Sequence, residues 1–390
     1  MKKGTAFPLV LAAFLAIAVL YAPQPLLPRF AQTYDITETR AALLVAVVLL
    51  PLSVAPLSFG ALLQRFPSAR VLQGSMAVLA VLVAAQAFDP SFTAFIGIRL
   101  GQGIAVAAIL TALMTHIATF AQGAAMPRIM AWYVAATILG GLLGRVLAGV
   151  AAAYASWSFF SIVLSGAIVG GSAALLRLER TPPDDAQPAE AERARFRDVL
   201  RVPRYLRLYA LIFCLYFSFS AFMNFLPFRL QGVQPGASEL LTGLLYVGYV
   251  AGIGVSLRAP ALARWMGGEA RAAWVGTAIG LGALLTATVA VTWVLFASVV
   301  LMCIAMFMTH SIAAGWINRA GGSRGSLING LYVAIYYAGG VLGAYVPGFA
   351  YERVGWGAFL VVLGVMIVGA HVAAIRWWQA ERRAASNSEA

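Results

Sequence analysis

From Ala272 to Asn318 the chain carries no Asp, Glu, Lys or Arg, and from Ile129 to Leu176 only Arg145 interrupts an equally apolar run. A helix of about 20 residues crosses the hydrocarbon core of a bilayer. Each of these runs, nearly fifty residues long, is therefore predicted to hold two crossings, with turns near residues 153–158 and 289–293. Of the 390 residues, 62% are apolar and 11% charged, whereas soluble domains are about a quarter charged. A soluble enzyme is excluded, because so few charges cannot cover a wetted surface.

Length and pattern together predict twelve spans, at 7–28, 40–63, 70–88, 92–117, 128–151, 156–177, 206–228, 238–259, 272–289, 292–315, 326–348 and 356–377. The first of these follows Lys2 and Lys3 and contains Ala16-Ile17-Ala18, features a signal peptide shares. Apolar runs of the same strength follow it throughout, and it reads more simply as the first crossing. The fold class is an all-α integral membrane protein.

With the N-terminus inside, 21 of the 27 basic residues fall on the cytoplasmic side, four (Arg29, Arg40, Arg229, Arg353) on the outer side, and Arg99 and Arg145 within spans. That bias is the positive-inside pattern, and it predicts a multi-pass membrane protein with both termini cytoplasmic. The net charge of +13 lacks the clustering and interleaved aromatics of a nucleic-acid surface. Cys214 and Cys303 sit in apolar runs without metal-ligand spacing. Neither a nucleic-acid partner, a metal nor a cofactor is expected.

The chain repeats itself. Tyr133-Val134-Ala135 returns as Tyr332-Val333-Ala334, and Gly140-Gly141, Leu143 and Gly144 return as Gly339-Gly340, Leu342 and Gly343, all 199 positions later. Gly149, Trp157 and Phe160 return as Gly348, Trp356 and Phe359 in the same register, and Met114-Thr115-His116 returns as Met308-Thr309-His310. Two six-helix halves are predicted, residues 1–177 and 207–390, joined by a cytoplasmic linker at 178–206 that ends in a short amphipathic helix on the inner leaflet. Parallel repeats of this kind place a substrate cavity between the halves and work by rocking.

Three motifs resemble those of the major facilitator superfamily, in particular its bacterial twelve-helix efflux branch (drug or sugar:proton antiporter-like). The fourth span carries Arg99-x-x-Gln102-Gly103, the fifth Gly140-Gly141-x-x-Gly144-Arg145-x-x-x-Gly149, and the first ends in Tyr21-Ala-Pro23-Gln24-Pro25-x-x-Pro28. The resemblance implies the major facilitator fold, a secondary transporter and no enzymatic activity. Two departures stand out. The loop after span two reads Gly60-Ala-Leu-Leu-Gln64-Arg65-Phe-Pro-Ser-Ala-Arg70, with Gln64 where the family has an Asp latch, and Arg145 stands where the glycine motif has Pro.

All fourteen carboxylates fall in predicted loops or ends. The ionisable groups within spans are Arg99, Arg145, His116 and His310, and such residues are costly enough in lipid to be functional candidates. Arg99 and Arg145 are each predicted roughly 10 Å inside the outer ends of antiparallel spans. With Gln24, Asn224, Tyr246 and Tyr249 near that level, they suggest an electropositive site for an anionic or polar neutral solute, because guanidinium forks match carboxylate and phosphate. A structural Arg99, bonded to neighbouring carbonyls, is the competing expectation. Tyr21, Tyr216, Phe219, Tyr332, Tyr336 and Tyr337 are candidate cavity aromatics. His310, His116 or the outer Asp35 is a candidate proton carrier, and His371 is expected to be packing or interfacial.

The functional expectation is a monomeric secondary transporter in the lipid bilayer. It moves a small-molecule substrate by alternating access, most simply as proton-coupled efflux. An importer or facilitator of an organic anion is the alternative, and an intramembrane transferase is the alternative from another class.

Overall fold

The computed structural model describes residues 6–120, 125–176, 178, 196–320 and 325–389. Most of the predicted linker lies outside them, apart from a short helix, α8 (Phe196–Leu200). Among the described residues the chain is helical, without strands. Eleven helices or helix pairs are long and apolar enough to cross a membrane. The remaining predicted span, the ninth, falls to α12 (Glu269–Thr286), which starts three residues early and takes Glu269 and Arg271 into its first turns. The predicted turns are where expected: α6 (Ala125–Tyr154) stops before α7 (Trp157–Leu175), and α12 stops before α13 (Thr292–Ala320).

Three expected spans are broken rather than continuous. The first is α1 (Ala6–Tyr21), a 3-10 turn at Gln24–Leu26 and α2 (Leu27–Thr33), because Pro23 and Pro25 cannot donate to the helix ladder. The eighth is α10 (Glu239–Leu245), a 3-10 turn at Tyr246–Gly248 and α11 (Tyr249–Trp265). The eleventh is α14 (Gly325–Tyr345) followed by α15 (Gly348–Val354), where Pro347 stands at the break. The last helix, α16 (Trp356–Glu389), runs well past the predicted end at 377.

The chain forms two compact units. One gathers the described residues of 1–189 together with 236–247, so that it includes α10. Its other long helices are α3 (Glu38–Arg65), α4 (Ser68–Ala85) and α5 (Phe92–Phe120). The second unit gathers those of 190–235 and 248–390 and begins its bundle with α9 (Pro203–Val233).

Each unit is built on the same helix pair. In the first, α1 lies so close to α6 that a Cβ on Gly140 would stand 2.3 Å from the Phe14 carbonyl oxygen, and one on Gly144 would stand 2.7 Å from that of Ala18. In the second, α9 meets α14 in the same way: a Cβ on Gly339 would stand 2.5 Å from the Phe213 carbonyl oxygen, and one on Gly343 would stand 2.1 Å from that of Phe217. Phe14 and Ala18 precede Phe213 and Phe217 by the same 199 residues that separate the glycines. Without a hydrophobic drive between helices in lipid, such backbone proximity and its van der Waals contact carry the association.

Gly343→Val is expected to lower the thermal stability of the purified protein by an amount corresponding to about 1–3 kcal/mol of overpacking. Gly364→Val is a control, because nothing stands within 4 Å of the added Cβ. Equal melting temperatures for the two variants would contradict the packing.

Candidate functional site

The break after α1 creates a problem that Arg99 solves. In a continuous helix the Val19 carbonyl would accept from the amide of residue 23, but Pro23 has none. Arg99, fully buried on α5, donates from Nη1 to Val19 O at 3.0 Å and from Nη2 to Leu20 O at 2.5 Å. Its Nε donates to Leu44 O of α3 at 2.7 Å, and Nη1 also reaches Gln102 Oε1 at 2.6 Å. Close approach of α5 to α3 is what brings Leu44 within reach, and Gly103 permits it: a Cβ there would sit 2.5 Å from Val48 O.

From Gln102 the polar chain continues through the core of the first unit. Gln102 Nε2 donates to Gln86 Oε1 at 3.0 Å and to Leu82 O at 3.2 Å, Gln86 Nε2 to Ser161 Oγ at 3.1 Å, and Ser161 Oγ to Trp157 O at 2.9 Å. The Arg99-x-x-Gln102-Gly103 element thus ties α1, α3, α4, α5 and α7 together. Four Arg99 N–H donors go to the carbonyls of Val19, Leu20 and Leu44 and to Gln102, an arrangement that fits the competing expectation of a structural arginine.

Arg145 has a different setting. It is 1% exposed, on the glycine-rich face of α6. Its Nε donates to Gln24 Oε1 at 2.6 Å and its Nη1 to Gly141 O at 2.6 Å. The guanidinium carbon lies 4.1 Å from the Tyr21 ring centre and 5.0 Å from that of Tyr246, which is fully buried. Cation–π contacts of this kind hold a charge without neutralising it. Four sequence candidates, Tyr21, Gln24, Arg145 and Tyr246, therefore come together in one buried electropositive cluster.

The position of Tyr246 depends on α10. A Cβ on Gly149 would stand 2.5 Å from Glu239 O and 3.1 Å from the Gly243 Cα, so these glycines set the contact between α6 and α10. Arg29 adds an ion pair to Glu239 at 3.4 Å and a hydrogen bond to Ala152 O at 3.3 Å. Sequence reading did not anticipate this pair, since nothing in the spacing links residues 29 and 239.

The second unit gathers aromatics where the first has the arginine. Tyr216 and Tyr336 stack with ring centres 3.8 Å apart and planes 9° from parallel. Gly340 makes room for Tyr216, whose ring a Cβ would meet at 2.2 Å. His310 lies 4.8 Å from the Tyr336 ring, and its Nδ1 is 3.0 Å from the Tyr332 hydroxyl. Tyr249 packs with Phe219 and Phe307 instead, at 5.9 and 5.4 Å. Asn224 donates to Ala344 O at 2.9 Å and Ser220 to Gly340 O at 2.9 Å, so both stitch α9 to α14. Phe307 was not singled out from sequence; its signal lay in Gly252, which leaves the space its ring fills.

The proton-carrier candidates separate. His116 is buried, with Nδ1 3.1 Å from Ser68 Oγ and its ring stacked 4.3 Å from Phe120. Asp35 is exposed in the turn between α2 and α3, with φ 49°. His371 accepts from Trp274 Nε1 at 2.9 Å and pairs through Nδ1 with Thr277 Oγ1 at 2.9 Å. The Thr277 hydroxyl is itself 2.8 Å from Trp274 O. These bonds fit a neutral ring with its proton on Nδ1, in keeping with a packing role. Gly60 and Gln64 lie on α3, with side chains outside the described ones, while Arg65 and Arg70 are exposed. Among the described residues, the buried polar groups include no Asp or Glu, and no cluster could hold a metal ion.

Arg99→Lys is expected to lower thermal stability by about 2–4 kcal/mol, because one ammonium cannot reach three backbone carbonyls and a glutamine. Arg145→Gln is expected to remain folded and to lose transport. Calorimetry alongside a transport assay distinguishes the two roles.

The chain matches the family model of the Major Facilitator Superfamily over residues 9–328. It is 24% identical over 366 residues to the MFS-type transporter YybF of Bacillus subtilis, covering 91% of this chain and 90% of that one. It is 23% identical over 380 residues to the inner membrane transport protein YnfM of Escherichia coli, covering 94% and 90%. Among solved structures it resembles the nucleoside transporter NupG (TM-score 0.77, 12% identity, 96% of this chain and 99% of that one). It also resembles a bacterial homologue of the human lysosomal transporter Spinster in an inward-facing, occupied conformation (TM-score 0.75, 12% identity, 97% and 96%). The chain belongs to the Major Facilitator Superfamily: it is a multi-pass membrane transporter and not an enzyme.

Proposed function

We propose that this transporter exports a small organic solute, anionic or polar and neutral, across the bacterial inner membrane in exchange for protons. The observation that carries the substrate class is the Arg145 cluster: a fully desolvated guanidinium held by Gln24, Tyr21 and Tyr246, in a protein whose described buried residues include no carboxylate. A buried positive charge repels cations and stabilises anions or strong dipoles. Tyr216, Tyr249 and Tyr336 are the proposed aromatic contributors, and His310 or His116 the proposed proton carrier.

The division into residues 1–177, 178–206 and 207–390 is proposed as the functional one, with α10 reaching from the last part onto the first. The distribution of basic residues supports cytoplasmic termini, and the chain is proposed to act as a monomer. Substrate import or facilitated diffusion of an organic anion is the second reading, favoured by the same lack of a buried carboxylate. The intramembrane transferase is set aside by family membership.

Counterflow in proteoliposomes is the test. Anionic and polar neutral solutes are expected to exchange, lipophilic cations are not, and acid outside is expected to accelerate efflux of an internal substrate. Preference for lipophilic cations would overturn the charge assignment. A rate indifferent to the pH gradient would overturn proton coupling. Arg145→Lys is expected to retain part of the exchange, with Arg145→Gln at least tenfold slower, the equivalent of about 1.4 kcal/mol.

A further inference from the structure

A groove of about 460 Å³ opens between α4 and α5. Its walls are Val71, Gly74, Val78 and Leu82 on one side and Ile104 and Ala108 on the other, and Arg70 stands at one end. Val78 and Ile104 are about half exposed, at 53% and 49%, and Gly74 faces open space. From Arg70 to Leu82 the helix rises roughly 18 Å, slightly more than the roughly 15 Å of half a hydrocarbon core. The groove is thus one leaflet long and largely apolar, with Ser75 as its one uncharged polar side chain and a single charge at one end.

That charge has no ion-pair partner among the described residues. Arg70 is exposed in the first turn of α4. The flanking acids in sequence are remote, Glu38 at the start of α3 and Asp89 beyond the far end of α4. No Asp or Glu lies between those two positions in the sequence. The N-terminus of α4 and the neighbouring exposed Arg65 add to the positive field.

We propose that this groove is a binding site for one anionic phospholipid, an acyl chain lying along Gly74 and Val78 and the phosphate on Arg70. A lipid fits the groove better than a helix of another chain does, because its one charge is terminal and its length is that of one leaflet. The site is independent of the substrate cluster around Arg145.

Native mass spectrometry and thermal melting of the full-length protein in neutral detergent test this, with added phosphatidylglycerol or with phosphatidylcholine of the same acyl chains. Phosphatidylglycerol is expected to be retained as one tight copy and to raise the melting temperature; phosphatidylcholine is not. Arg70→Gln is expected to weaken phosphatidylglycerol about fivefold, as for the loss of one basic contact at about 1 kcal/mol, and Arg70→Lys to restore most of it. Gly74→Phe, whose Cβ would meet open space, is expected to fill the groove and abolish the tight copy while the protein stays monodisperse. Glycerol phosphate, a headgroup without chains, is expected to have no effect. Equal retention of both lipids, undiminished binding in Arg70→Gln and Gly74→Phe, or equal stabilisation by glycerol phosphate would each overturn the proposal.

Discussion

A backbone carbonyl cannot be left bare inside a membrane, and Pro23 leaves one bare at Val19. The guanidinium of Arg99 covers it, together with Leu20 and Leu44, and passes a further bond to Gln102. Unmade bonds cost several kcal/mol in hydrocarbon, so the kink after α1 and the buried arginine stabilise one another. Released from the α-helical ladder, the chain tightens into the 3-10 turn at Gln24–Leu26 and brings Gln24 to Arg145. The electropositive cluster is therefore a consequence of how the break in α1 is satisfied.

The two units share a packing solution and differ in what they build on it. Glycines at equivalent positions bring α1 onto α6 and α9 onto α14. At the position after the third glycine, the first unit has Arg145 and the second Ala344. Where Gln24 receives the arginine, the second unit has Met223, and the space is filled by the Tyr216–Tyr336 stack. Duplication preserved the helix contact, which depends on backbone proximity, while the side chains around it diverged into a cationic set and an aromatic set.

Much of the fold was legible because lipid imposes a strict rule on composition. Turns at 153–158 and 289–293 could be read from apolar runs too long for one crossing. The breaks at Tyr246–Gly248 and Tyr345–Gly348 were not read, because a short 3-10 turn or kink leaves the apolar pattern intact. α12 began early for a related reason: Glu269 favours a helix N-terminus, and the hydropathy pattern gives that no weight. Within the site, Tyr21, Gln24, Arg145 and Tyr246 were all named from sequence, but so was Arg99 as their partner. Both arginines sit at similar depth in apolar helices, and periodicity cannot say which carbonyls a guanidinium finds.

The sequence by itself determined an all-helical membrane protein, duplicated at an interval of 199 residues, with buried positive charge and acids kept to loops and ends. These follow from quantities that belong to single residues and their spacing: transfer cost, span length and repetition. Tertiary structure decided that Arg99 is a clamp and Arg145 a candidate ligand group, that α10 packs on α6 through Gly149 and Gly243, and that Arg70 ends an open groove. Each of those depends on which backbone atoms helices distant in sequence bring within hydrogen-bonding or contact range.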